Sequence, residues 1–218
     1  MLPKYNIPGI FIAIPTGGRP QKALAVAKAW SAKKINVVAY CWDDETYGLL
    51  KEVTPYLFRG ERKSFPILQN LMAKHVTGWD CMICGSDDLY PKNISKLEDT
   101  YWRLPGKILW VNDNIHKRCI THPVITRQWY DDHKKIFDER FFHSYCDYDL
   151  FIQASRRNEI VKCFNITFEH RHFLITGETL DELHELVESV KEDDAKKYKA
   201  KHREHGLTLG FIPTYAYS

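Results

Sequence analysis

Four short, dominantly apolar runs punctuate the first half of this chain: GIFIAI (9–14), INVVAYCW (35–42), WDCMICG (79–85) and KILWV (107–111). Runs of this length without polar alternation mark strands buried on both faces, which requires a sheet covered by helices on each side. Segments of helical period lie between them. Pro20 opens one in which Ala23, Val26, Ala27 and Trp30 share a face, and Ser64 can cap another whose inner face carries Leu68, Leu71, Met72 and His75. DETYGLLKEV, a brief strand at 56–58 and a helix carrying Ile94, Leu97, Tyr101 and Leu104 complete the alternation. Strand and helix alternating at this spacing predict a layered α/β domain with a largely parallel central sheet. Ligands of such sheets bind beyond the carboxyl ends of the strands, so PTGGRP (15–20), WDDE (42–45) and GSDD (85–88) are expected on one rim.

The second half is less regular. CITHPVITRQWYDDH reads as a strand leading into a helix, FDERFFHSYCDYDLFIQASRR ends in a helix, and EIVKCFNITFEHRH (159–172) is extended. Thr179 and Glu182 form a capping box for a long helix with Leu180, Leu183, Val187 and Val190 inward. The charged stretch 191–205, with Tyr198 as an apolar anchor, is expected to be a solvated helix stopped at Gly206, and the HxxH at 202–205 to be solvated with it. A net charge of only +3 over 218 residues imposes no global field that would demand a nucleic-acid partner. No run is long enough to span a bilayer, and the first apolar run, ending at Pro15, reads as a strand and not a signal peptide. The six cysteines mostly sit in apolar runs; Cys81 and Cys84 lie inside one strand with no second pair, so buried free thiols of a cytoplasmic protein are expected rather than a zinc site.

Three constellations carry chemistry. Asp87 and Asp88 directly follow a buried strand, and their hard oxygens suit Mg²⁺ or Mn²⁺ bound together with substrate phosphate; a solvated turn before Pro91 is the alternative. The glycines of PTGGRP permit close backbone approach to a ligand and Arg19 can pair with phosphate, although a glycine turn with a surface arginine has the same sequence. Asp147 and Asp149 stand near a predicted helix start, where they either complement the macrodipole or supply a general base. His170 and His172 alternate on one side of an extended segment, as metal ligands or as residues of an edge strand.

Taken in order, these elements resemble the GT-A glycosyltransferases, close to the family-2-like group and particularly its small phage-encoded members, over residues 9–190. IPTGGRP is similar to that family's first strand and loop, VVAYCWDDE to its second strand with the acids that approach base and ribose, and ICGSDDLYP to its metal-binding carboxylate motif with Ser86 in the place of the first acid. FDERFFHSYCDYDLFIQASRR resembles the segment of the catalytic base, and FEHRH the late histidine motif. The resemblance implies one Rossmann-like GT-A domain at 1–178, its nucleotide-binding half at about 1–90 and its acceptor half at about 91–178, with a helical extension at 179–218. It implies Asp147 as the base of an inverting transfer, and Pro15, Thr16, Gly17, Arg19, Asp43, Asp44, Arg62 and Asp87 as contacts of a UDP-sugar such as UDP-glucose. Asp88, Asp87, His170 and His172 are implied around Mn²⁺ or Mg²⁺.

Acceptor contacts are expected from Trp129, Tyr130, His143, Asp149, Lys117 and Arg118. Basic groups interleaved with aromatics, together with the lysines of the tail, could track a phosphate backbone and hold an extruded base, and small phage-type relatives point to a hydroxymethylpyrimidine in DNA. A saccharide or protein hydroxyl is the rival acceptor; a nucleotidyltransferase or sugar-nucleotide hydrolase is the rival activity, and a non-catalytic DNA- or glycan-binding module the rival class. No membrane partner is expected.

Overall fold

Each of the four apolar runs becomes a strand in the computed structural model, which describes residues 2–172, 176 and 182–204. The strands are β1 (Tyr5–Thr16), β2 (Asn36–Cys41), β3 (Tyr56–Arg59), β4 (Val76–Cys84), β5 (Leu89–Asn93), β6 (Ile108–Asn112), β7 (Val124–Thr126) and β8 (Ile160–His170). The helices among the described residues are α1 (Pro20–Ala32), α2 (Asp44–Leu50), α3 (Phe65–His75), α4 (Leu97–Arg103), α5 (Arg127–His133), α6 (Cys146–Arg156) and α7 (Glu182–Glu204). One sheet holds all eight strands in the order β3-β2-β1-β4-β7-β6-β8-β5. The β3-β2, β2-β1, β1-β4 and β6-β8 pairs are parallel; β7 is antiparallel to both neighbours, and β5 is antiparallel to β8. Six strands therefore point one way, and the expected mostly parallel α/β sheet, compatible with a Rossmann-like fold, is present.

Alternation along the strands builds two cores. β1 sends Phe11 and Ala13 to one face and Ile12 and Ile14 to the other, and β4 divides Met82 and Cys84 from Cys81 and Ile83 in the same way. Leu68 and Met72 of α3, Trp129 of α5 and Leu150 of α6 cover the first face. Ala23, Val26, Ala27 and Trp30 of α1, with Leu97 and Tyr101 of α4, cover the second. Trp30 is fully buried, meets Phe168 edge-on with centroids 5.3 Å apart, and donates its Nε1–H to the Leu89 carbonyl at 2.7 Å. Burying a side chain of this size contributes about 2–3 kcal/mol, and here it ties the first helix to the far edge of the sheet.

β5 was not expected as a strand because Pro91 lies within it. A proline cannot donate to a ladder, and β5 tolerates one because it is the edge strand, bonded to β8 alone. Its register sets Leu89 opposite His170, and the Arg171 N–H donates to the Asp88 carbonyl at 2.9 Å, so the ladder itself brings the late histidines to the aspartates. All six cysteines are buried and free. No helix among the described residues is long and apolar enough to cross a membrane.

The charged C-terminal stretch departs from the expectation of a solvated helix. Within α7, Asp194, Tyr198 and His202 are buried at 0%, 4% and 1% exposure. Asp194 accepts backbone N–H groups, Tyr198 packs on Tyr145, and Lys201 bonds both Asp138 and Asp149 at 2.8 Å. His202 of the HxxH sits 3.2 Å from Asp149. Burial of Asp194 and Lys201 is tolerated because each meets an opposite charge or a polar partner, whereas neither ring nitrogen of His202 makes a hydrogen bond and burial lowers its pKa. Thr179, Leu180, His205 and Gly206 lie outside the described residues, as do the side chain of Leu183 and the ends of the proposed extension.

Candidate functional site

The sheet reverses its winding between β1 and β4, and the loops leaving their carboxyl ends open a cavity of about 1350 Å³, including space open to solvent. Gln69 of α3 pins the two loops, donating from Nε2 to the Ala13 carbonyl at 3.3 Å and the Gly85 carbonyl at 2.9 Å. Across the gap, Thr16 donates its hydroxyl to Asp87 Oδ2 at 2.8 Å and Arg19 Nη1 reaches Asp87 Oδ1 at 3.2 Å. Both oxygens of Asp87 are thus engaged, and the residue is 4% exposed. Burial, followed by the charge of neighbouring Asp88, pushes its pKa up to about 6 against the pull of Arg19 and Thr16, which leaves it ionised at neutral pH. Asp87 is a clasp that fixes Arg19, one oxygen bonded to the guanidinium and the other to Thr16.

The second-strand acids are also occupied. Asp43 accepts the Thr46 N–H at 2.8 Å as the N-cap of α2 and the Gly18 N–H at 2.8 Å, so it braces the glycine loop. Asp44 projects outward, its side chain 95% exposed, and pairs with Arg59 at 3.1 Å. Neither carboxylate is in the cavity lining. Trp42 stands in the cavity wall in their stead, with the Arg62 guanidinium 5.4 Å from its ring centroid. Gly17 packs directly on the Trp42 indole, so a Cβ at that position would collide with it. Gly17→Ala is expected to displace Trp42 and destabilise the protein by about 1–3 kcal/mol, read as a lowered midpoint in denaturant.

The same cavity is lined by a cluster of carboxylates and imidazoles. Asp88 Oδ2 is 3.4 Å from His170 Nε2, and Ser86 donates its hydroxyl to Asp88 Oδ1. Burial opposes ionisation of Asp88, but His170, the Ser86 hydroxyl and His122 outweigh it and hold the carboxyl well below its usual range. For His170, burial favours the neutral ring and Asp88 and Asp113 favour the cation, with a net rise in pKa. His122, whose pKa burial and His170 push down to about 3, is neutral. Its Nδ1 faces the Cys84 carbonyl at 3.1 Å and its Nε2 faces His170 Nδ1 at 3.3 Å; a proton on His122 Nδ1 satisfies both contacts, with His170 Nδ1–H as the second donor.

His116 is held in the same fashion. Its Nδ1 lies 2.9 Å from Asp113 Oδ2, which also receives the Thr121 hydroxyl, while Asp113 Oδ1 accepts the N–H groups of Ile115 and His116 at 3.0 and 2.7 Å. Ligand atoms of Asp113, His116 and His170 all lie within 4.8 Å of one another, a spacing that can hold a metal ion. Carboxylate oxygen with imidazole nitrogen is a donor set that fits a divalent first-row ion, and each imidazole has its other nitrogen fixed by a neighbour, as metal-binding histidines require. Asp113, His116 and His122 were not anticipated as site residues. NDNIHKRC suggests contacts from Lys117 and Arg118, yet its D-x-x-H spacing is that of an Asx turn folding a histidine back on its own aspartate.

Asp147 lines the cavity as well. It follows Tyr145, whose φ of 64° turns the chain sharply into α6, and its Oδ1 accepts the Tyr148 N–H at 2.9 Å. Burial pushes its pKa up to about 6, with the Tyr148 N–H and His116 opposing. Asp149, two residues on, faces away, 1% exposed and paired with Lys201, His202 and Gln153, so it does not compete with Asp147. Pro15, His143 and His172 line the cavity as expected. Trp129 and Tyr130 do not: they are core residues at 1% and 7% exposure, and the Trp129 indole N–H is spent on Glu159. Lys117 and Arg118 are exposed on a loop outside the cavity lining.

No protein-family model matches this sequence, and no curated protein matches it. The class that fold and site define is therefore an α/β protein of Rossmann-like arrangement. Its carboxyl rim joins guanidinium groups, a possible metal cluster and a carboxylate of raised pKa in one cavity.

Proposed function

We propose that this chain is a metal-dependent, inverting glycosyltransferase of the GT-A type that moves a hexose from a UDP-sugar to an acceptor hydroxyl. The observation that carries the reading is that one cavity is lined by Arg19 and Arg62, by Asp88, His116, His122 and His170, and by Asp147. Arg19 and Arg62 lie close enough that Arg19, after burial, lowers the Arg62 pKa; an anion carrying two charges between them would relieve that repulsion. The diphosphate of a nucleotide sugar is such an anion. Asp88, His170 and His116 line the same cavity and Asp113 supports His116; these residues would hold a divalent ion, which would supply Lewis-acid neutralisation of charge on the leaving diphosphate. The imidazole nitrogens favour Mn²⁺ over Mg²⁺, which prefers an all-oxygen set.

Asp147 takes the acceptor proton. As the acceptor oxygen bonds to the anomeric carbon, the bond from that carbon to the diphosphate breaks, and the proton remains on Asp147 while UDP departs. A carboxylate with a pKa near 6 is ionised at neutral pH yet more basic than an ordinary aspartate, which suits this task. For the acceptor, we propose only a hydroxyl group. Of the residues on which a DNA acceptor would draw, Trp129 and Tyr130 are buried in the core and Lys201 is paired with Asp138 and Asp149.

The test is product analysis with UDP-glucose and other UDP-sugars in Mn²⁺. UDP release that accelerates with a hydroxyl acceptor is expected. Full-rate release without any acceptor would make the protein a sugar-nucleotide hydrolase, and release of pyrophosphate a nucleotidyltransferase. Removing metal with a chelator should abolish release, and Mn²⁺ should restore it better than Mg²⁺.

A further inference from the structure

One stripe of α7 runs from the cavity past the first turn of α6. Val187, Glu188 and Lys191 line the cavity, Asp194 follows one turn later, and Tyr198, Lys201 and His202 continue the stripe against Tyr145 and Asp149. Asp194 is fully buried, and three successive backbone N–H groups converge on it. Phe142 N lies 2.9 and 3.0 Å from its two oxygens, and His143 N and Ser144 N lie 2.9 and 3.0 Å from Oδ2. Lys197 adds an ion pair at 3.3 Å. Consecutive N–H groups of this kind form a concave anion site, which in many proteins holds a ligand; here it is filled by the chain's own carboxylate, delivered from 50 residues away.

The segment so gripped leads directly into Tyr145, the left-handed turn, and Asp147. It is also anchored from the front, since the Phe65 N–H at the start of α3 donates to the Phe142 carbonyl at 2.9 Å. Behind it, Asp149 in the first turn of α6 is held by Lys201 at 2.8 Å. The loop therefore has its N–H groups bonded to α7, one carbonyl bonded to α3, and the catalytic carboxylate at its exit. A loop that carries a base needs such fixing, because a displacement of about 1 Å at the reacting atoms can cost about a hundredfold in rate.

We propose that Asp194 is a positioning residue for Asp147, so that α7 is part of the catalytic apparatus and not an appendage. This inference rests on the assignment of Asp147 as the base. Asp194→Asn keeps the side-chain shape and one acceptor oxygen but gives up the charge and the second oxygen. In the full-length chain, with the first UDP-sugar the wild type turns over and Mn²⁺, Asp194→Asn is expected to lower kcat at least about tenfold while KM for the donor stays within about twofold. On an Asp147→Asn background the same substitution should leave the residual rate unchanged, because the group it positions is already gone. An equal fall in both backgrounds, or no fall in either, would overturn the proposal. Asp147→Asn at wild-type turnover would instead sink the base assignment and this inference with it. Hydrogen exchange on the wild-type protein gives a readout that needs neither donor nor variant. The amides of residues 142–144 should exchange as slowly as those of β4, and exchange at the rate of open loops would contradict the grip of Asp194.

Discussion

Asp147→Asn is expected to lower glycosyl transfer by about a hundredfold to ten-thousandfold while donor affinity stays nearly intact, because a general base acts on the transition state and not on the bound sugar nucleotide. In the wild type, kcat should rise with pH and level off above an apparent pKa of about 6, the value at which Asp147 loses its proton. The same substitution should make the protein more stable, and only in one pH range. Burial raises this carboxyl from 3.8 to about 6, so the ionised form is disfavoured in the folded chain. Below pH 3.8 the residue is protonated folded and unfolded, and asparagine changes little. Between 3.8 and about 6 the wild type pays increasingly for ionisation, and above 6 the whole cost is present. Linkage sets that cost at about 3 kcal/mol, and the water of the cavity reduces it to about 1–2 kcal/mol. Asp147→Asn should therefore unfold at higher denaturant than the wild type at pH 8 and at the same denaturant at pH 3.5. An ordinary surface aspartate would show neither the activity loss nor the pH-dependent gain.

Asp88 and Asp87 are adjacent in sequence and should fail in different ways. Asp88→Asn takes an anionic oxygen from the metal cluster and leaves His170 without its carboxylate, so Mn²⁺ affinity should fall at least about a hundredfold and turnover about a thousandfold; because the fold holds this carboxyl well below its usual range, the variant should also be less stable than the wild type at neutral pH without metal. Asp87→Asn instead breaks the enclosed pair with Arg19, whose side chain is 7% exposed, and leaves a guanidinium largely cut off from water. The fold disfavours ionisation of Asp87 as it does that of Asp147, so stability above pH 6 should not fall; what is lost is the fixing of Arg19, read as weaker donor binding, with Mn²⁺ affinity close to wild type. Calorimetric Mn²⁺ titration of both variants, alongside denaturant unfolding, separates the two roles. Matching losses of metal affinity in both would show that the pair ligates jointly.

Much of this arrangement can be read in the chain, and the parts that cannot share a physical cause. β1, β2, β4 and β6 are legible because a strand buried on both faces has no reason to alternate, and α1 is legible because Ala23, Val26, Ala27 and Trp30 keep helical spacing. The rim follows from the parallel connections, so Arg19, Asp88 and Asp147 can be placed near one another before any coordinates exist. What escapes is whatever depends on a distant partner. The bonds of Asp43 to Gly18 and of Asp87 to Thr16 and Arg19 join segments that no local pattern brings together. Asp194 and His202 look solvated because charged residues of an amphipathic tail usually are; residues 142–144, about 50 positions earlier, make the burial of Asp194 tolerable, and His202 is buried beside Asp149. Trp129 and Tyr130 sit among charges that suggest a surface, yet they form the inner face of α5. His116 and His122 come from the irregular loop between β6 and β7, where no periodicity indicates which side chains turn inward. Pro91 hides β5, and with it the register that delivers His170 to Asp88.

Thermal unfolding with UDP, in the presence and absence of Mn²⁺, tests the central claim most directly. UDP should raise the midpoint clearly with Mn²⁺ and little without it, the Mn²⁺-dependent part should vanish in Asp88→Asn, and it should persist in Asp147→Asn. If millimolar UDP leaves the midpoint unmoved with Mn²⁺ present, or moves it equally in the wild type and in Asp88→Asn, the cavity is not a metal-assisted nucleotide-sugar site.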